Sequence, residues 1–136
     1  MPIPPASAVF ATRLKARRTE LGLSQAQLGV RMGLPEDVSS TRINRYEKGV
    51  HAPDLDTMEA MARELGVPLP YLLAQDERLA EVILVFPDLP AEAQDRILAE
   101  IARAKGKQAQ GRSTATKATL AKRTPKVTAK TRRRTV

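Results

Sequence analysis

Hydrophobic positions along the chain recur mostly at helical spacing, and the intervals are closed by glycine and proline. Phe10, Leu14 and Leu21 share one face of a first segment, with Arg13, Lys15 and Arg17 spread around the others. Ser7 is a fitting N-cap for this helix, and Gly22 stops it near Leu21. Ser24 opens a second helix, and Gln27 three residues on completes a Ser-x-x-Gln capping box. Gly29 falls inside that helix, where glycine costs ~1 kcal/mol against alanine. A close helix crossing, at which a Cβ would clash, is the expected reason. Gly33 ends the helix. Residues 34–38 form a turn or an extra helical turn. A third helix is predicted from about Ser39 to Lys48, with Ile43 and Tyr46 inward and Gly49 at its end.

Asp54 or Asp56 caps a fourth helix, in which Met58, Met61, Ala62 and Leu65 follow the i, i+3, i+4, i+7 pattern up to Gly66. A short fifth helix is predicted over 68–74, starting at a proline. Two more helices, split by FPDLP, are predicted over 76–105. Leu79, Val82, Ile83 and Phe86 line the first, and Ile97, Leu98 and Ile101 the second. This pair is too small to be a domain alone, so it packs on the first five helices or on a second copy of itself. Beyond it, Leu120, Val127 and Val136 are the large apolar residues, too few to offset the entropy of ordering the chain, and residues 106–136 are expected to be disordered. Three prolines in residues 1–6 predict a flexible arm.

Charge changes the picture once it is divided. The net charge is +8 over 136 residues, but residues 103–136 carry +12 with no acidic residue, and residues 1–102 carry −4. The folded part therefore meets a polyanion, if it does, through a local basic surface rather than a global field. Cysteine is absent, which removes disulfide frameworks and thiolate metal sites. No run approaches 18 apolar residues, so no membrane span is predicted. The N-terminus lacks the basic-then-apolar order of a secretory signal, and a cytoplasmic, nucleoid-associated location is expected. An aromatic share of 3% argues against a stacking platform for single strands.

The stretch Gly22–Gly49 reads as two short helices joined by a turn, the second carrying small polar and basic side chains. That is the layout of a helix-turn-helix, whose second helix enters the major groove of DNA. Together with RINRYEKG and LxxMAxxLGVPLxxLL, the GLSQxxLG run makes residues 10–74 resemble the Cro/C1-type helix-turn-helix of phage repressors and Xre-like bacterial regulators. The resemblance implies an all-α, five-helix, lambda-repressor-like domain over 7–75, double-stranded DNA as partner and a homodimer acting in transcriptional control. The chain departs from the family at LPEDV, where Ile43 arrives about four residues late. The start of the third helix is the part this insertion touches.

Residue by residue, the resemblance implies that Ser40, Thr41, Asn44 and Arg45 read bases. Arg45 can fork onto guanine O6 and N7, and Asn44 can pair with adenine. Gln25, Lys48 and His51 fall where the family touches phosphate, and Arg42 either reads a base or holds the backbone. Arg18 and Glu47 stand where the family places an ion pair bridging the first and third helices. His51 is the sole histidine, and no motif supplies metal partners or a nucleophile for it. No metal, no cofactor and no enzymatic activity are expected. The expected function is a sequence-specific regulator, a repressor, with residues 76–104 contributing to the dimer. Two alternatives stand beside it. One is an architectural, nucleoid-type protein that binds DNA through the basic tail. The other is an antitoxin-type module that binds a protein partner through residues 76–136.

Overall fold

A computed structural model describes residues 2–121, with side chains through 112. Seven α-helices and no strand occur among the described residues: α1 (Ala6–Glu20), α2 (Gln25–Arg31), α3 (Glu36–Glu47), α4 (Leu55–Leu65), α5 (Leu69–Leu73), α6 (Glu77–Val85) and α7 (Ala91–Ala121). A 3₁₀ turn, Phe86–Asp88, follows α6. The described residues divide into two compact units, with the division between Leu89 and Pro90.

In the first unit, α1–α5 enclose a core of Phe10, Leu14, Leu28, Ile43, Met61, Ala62, Leu65, Val67 and Leu72. Phe10, Leu14, Ile43, Met61, Ala62 and Leu65 are inward positions that the helical spacing selects, Leu28, Val67 and Leu72 join them, and Tyr46 and Met58 pack against them half-buried. Leu21 is the exception on α1: it lies just past the helix, at the C-cap, and is exposed. Helix α1 begins at Ala6 rather than after Ser7. Pro5 supplies an extended N-cap conformation, and its carbonyl accepts from Ala8 N and Val9 N. The N-terminal arm is also tied at Pro4, whose carbonyl accepts from Gln75 Nε2 at 2.8 Å.

The second helix is capped as its sequence demands. Ser24 Oγ accepts from Gln27 N at 3.0 Å, and Gln27 Oε1 accepts from Ser24 N at 2.8 Å. Asp54 caps α4 by accepting from Thr57 N at 2.7 Å. Side-chain and then backbone hydrogen bonds from Thr57 hold its carboxyl below the ordinary value. The left-handed Gly66 (φ +66°) closes α4.

Two departures from the sequence reading have physical causes. First, α3 starts at Glu36, not near Ser39. The LPEDV insertion adds an N-terminal turn, with Pro35 as N-cap and Glu36 and Asp37 set against the positive end of the helix. Second, α6 does not pack through Leu79 and Val82, which are about half-exposed. It turns Ala80 and Leu84 inward, because the small Ala80 allows close approach. Residues 76–105 hold α6 and the first part of α7, two helices as expected. Helix α6 belongs to the first unit, and α7 lies in the second. Disorder is expected from residue 106, yet α7 is described as helix through Ala121. Ala, Lys, Gln and Arg are good helix formers, and no proline occurs between Pro90 and Pro125. Residues 122–136 of the expected tail lie outside the described residues.

Candidate nucleic-acid interface

The angle between α2 and α3 depends on one missing Cβ. A Cβ built on Gly29 would stand 2.5 Å from Ser39 Cβ and 2.9 Å from Ser39 Cα. The two helices cross this closely because Gly29 has no side chain and Ser39 a small one. Ser39 is fully buried, and its hydroxyl donates to Pro35 O at 2.7 Å, which satisfies it inside its own helix. With Ile43 also buried, Ser39 and Ile43 face inward with Tyr46 packed against the same core, while Ser40, Thr41, Arg42 and Arg45 face out.

The outward positions carry the side chains singled out in the sequence. Ser40, Thr41, Arg42 and Arg45 are exposed, and Asn44 is half-buried. Thr41, Arg42, Arg45 and His51 line one groove of about 530 Å³ beside α3, together with Tyr46 and the start of α4. Lys48 and His51 line a neighbouring recess against α1. The structure thus brings the candidate base-reading and backbone residues onto one side of the first unit.

Behind that face lies a connected polar network. Arg18 and Glu47 form a two-point ion pair, with Arg18 Nη2 3.2 Å from Glu47 Oε2 and Arg18 Nε on Glu47 Oε1. The Glu47 side chain is only 3% exposed. Arg18 Nη1 also donates to Leu23 O at 2.7 Å, which fixes the turn between α1 and α2. Gln25 sits in the same network. Its Nε2 donates to Glu47 Oε2 at 2.9 Å and to Asn44 Oδ1 at 3.2 Å, while Ser40 Oγ donates to its Oε1 at 3.4 Å. The side chain expected to reach for phosphate therefore points its amide at α3. No buried side-chain polar atom lacks a partner among the described residues.

The sequence sets Arg13 off the apolar face of α1 and gives it no role. Arg13 is 9% exposed and staples α1 to the end of α5. Its Nε and Nη2 both donate to Ala74 O, at 3.2 and 2.8 Å, and Nη2 lies 3.3 Å from Glu77 Oε1. The guanidinium stands 5.3 Å from the centre of the Tyr71 ring. Arg17 acts similarly on α4, donating to Leu65 O at 3.1 Å. Both arginines satisfy carbonyls at helix C-terminal ends, where a cation is favoured.

A capped short helix, a glycine-mediated crossing and a second helix with an exposed polar face define a helix-turn-helix unit. The chain belongs to the Cro/C1-type helix-turn-helix family of DNA-binding transcriptional regulators, whose helix-turn-helix pattern matches residues 14–72. A crystal structure of the transcriptional regulator BswR is similar to it, with 40% identity and a TM-score of 0.62 over 68% of this chain and 92% of that one. The cryptic phage CTXphi transcriptional repressor RstR of Vibrio cholerae is 30% identical over 69 residues. That match covers 51% of this chain and 59% of the curated relative's length. No described helix is long and apolar enough to cross a membrane.

Proposed function

We propose that this protein is a sequence-specific double-stranded DNA-binding repressor that reads the major groove with α3. The observation that carries the proposal is the division of α3 into two faces. Ser39 and Ile43 lock it to the core, while Ser40, Thr41, Arg42 and Arg45 stand outside it. A helix fixed on one side and polar on the other can enter a major groove about 12 Å wide without rearranging the domain. In this reading Arg45 and Asn44 meet base edges with Ser40 and Thr41, Arg42 meets a base or the backbone, and Lys48 and His51 hold phosphate.

The regulator acts as a homodimer in this proposal, with residues 76–104 contributing to the contacts. Two-fold related heads match half-sites about one DNA turn apart. The exposed Leu79, Val82 and Val85 of α6 and Leu98 and Ile101 of α7 are the apolar side chains such contacts would cover. The similarity to RstR, a repressor by name, supports the sign of regulation.

A second reading is favoured by the charge of residues 103–136, which suits an architectural protein binding DNA by charge alone. Selection of preferred duplexes from a random pool separates the two. Recovery of a defined, two-fold symmetric site that survives removal of residues 106–136 supports the repressor. Recovery of no preferred sequence refutes it. A strictly monomeric mass at micromolar concentration, free and on DNA, refutes the dimer.

A further inference from the structure

We infer that Gln25 is a specificity-positioning residue, which acts on DNA through Asn44 by fixing the direction in which the Asn44 amide points. The inference rests on the base-reading role proposed for Asn44. It starts from Glu47, which is paired with Arg18 and offers only acceptors. The end of the Gln25 amide facing Glu47 Oε2 at 2.9 Å must therefore be its NH₂. That nitrogen carries two hydrogens. The second is directed at Asn44, 3.2 Å away, so Asn44 must present its oxygen there. At the other end, the oxygen of Gln25 accepts from Ser40 Oγ at 3.4 Å. One buried carboxylate thus sets the polarity of two amides in series, and neither can flip without placing two donors, or two acceptors, against each other.

The consequence is chemical. With Oδ1 held by Gln25, Asn44 shows DNA its Nδ2, a pair of donors. A free asparagine can offer adenine a donor and an acceptor together, through N7 and N6. A pinned one suits an edge made of acceptors, which is guanine O6 and N7, or thymine O4. Both hydrogens of Gln25 Nε2 are engaged within the protein, so its side chain contributes to DNA recognition by orienting its neighbour. Asn44 is half-buried, and so it reaches a base edge from a fixed point, with less side-chain entropy left to lose on binding.

The experiment is duplex selection, followed by titration of single-base variants, on full-length wild type, Asn44→Ala, Gln25→Met, Gln25→Ala and the Gln25→Met/Asn44→Ala double variant. Asn44→Ala identifies the base pair that Asn44 reads, and there loss of the exocyclic amino donor alone (purine in place of adenine, or 2-pyrimidinone in place of cytosine) should weaken wild type and Asn44→Ala by the same factor, because the pinned amide offers that donor no acceptor. Either Gln25 variant should reduce preference at this same pair by on the order of tenfold and leave other pairs unchanged. The double variant should lose no more there than Asn44→Ala alone. Even weakening of every duplex by the Gln25 variants, with preference at that pair intact, overturns the inference and leaves the DNA-reading proposal standing. An Asn44-dependent loss on removing that amino donor, or a preference independent of Asn44, does the same. Absence of any preferred duplex for the wild type refutes the DNA-reading proposal itself.

Discussion

Replacing Gly29 by alanine sets a local gain against a tertiary cost, and the structure decides the sign. In an isolated helix the substitution is favourable by ~1 kcal/mol, because glycine has the greater backbone freedom to lose. Here the new methyl would lie 2.5 Å from Ser39 Cβ and 2.7 Å from its hydroxyl oxygen. A flexible side-chain tip could swing away, but a Cβ cannot, and Ser39 Cα stands only 2.9 Å away. Helices α2 and α3 must separate, and Leu28 and Ile43, both fully buried, lose contact. Forced overpacking of this kind costs about 1–3 kcal/mol and reaches higher where backbone must move. The net expectation is a loss of about 1–2 kcal/mol. For a unit of this size each kilocalorie corresponds to a fall of roughly 4–8 °C in Tm. Urea unfolding with a common slope measures it. Adding Ser39→Gly, which removes the Cβ and the hydroxyl, should restore part of the loss. Wild-type or greater stability of Gly29→Ala would show that helix propensity prevails and that the crossing is not tight.

Arg18→Met should destabilise the fold by roughly 3 kcal/mol, since it strands the buried Glu47 carboxylate, with chemical denaturation as the check and a loss under 1 kcal/mol as the contrary result. Arg45→Ala should cost ~1–3 kcal/mol on the selected site and relax preference at one base pair, whereas equal losses on random duplexes would make Arg45 a phosphate contact. Removal of residues 106–136 should flatten the salt dependence of binding and leave the ranking of sequences unchanged; an unaltered slope would mean that this segment does not engage phosphate. Asp54, whose folded carboxyl titrates below its ordinary value, contributes stability that is full above that value and is lost as pH falls through the folded one. Asp54→Asn, which still caps but does not titrate, should therefore show a shallower loss of stability on acidification than the wild type.

Local signals carried most of the first unit. The Ser24–Gln27 box, the helix-ending glycines and the spacing of Met61, Ala62 and Leu65 act within a few residues, and a sequence displays them directly. The small residue at Gly29 announced a close approach, although its partner, Ser39, emerges only from the crossing. The long Arg18–Glu47 separation was legible through the family resemblance, not through spacing. Arg13 was opaque because its partners, Ala74 O and Glu77, lie more than sixty residues away and one of them is a backbone atom. The start of α3 had a readable signal, the proline-acid-acid order of Pro35, Glu36 and Asp37, but the capacity of an insertion to extend a helix competed with its capacity to loop out. On α6 the largest apolar residues suggested the inner face, while packing favoured the small Ala80.

The order of charges along α7 bears on the conditions under which its far half stays helical. Glu92 and Asp95 stand in its opening turns, and Arg103, Lys105, Lys107 and Arg112 follow further on with no acidic residue among them. Arg103 and Lys107 stand four residues apart, and like charges at that spacing on a helix repel. The contribution is electrostatic and exposed, and mobile ions diminish it at separations beyond about 8 Å at physiological ionic strength. Gly106 and Gly111 weaken the same stretch by ~1 kcal/mol each. The distal turns of α7 are thus an ionic-strength-sensitive element, expected to fray at low salt and to gain helix as salt rises, while the core around Leu14 and Ile43 stays undisturbed.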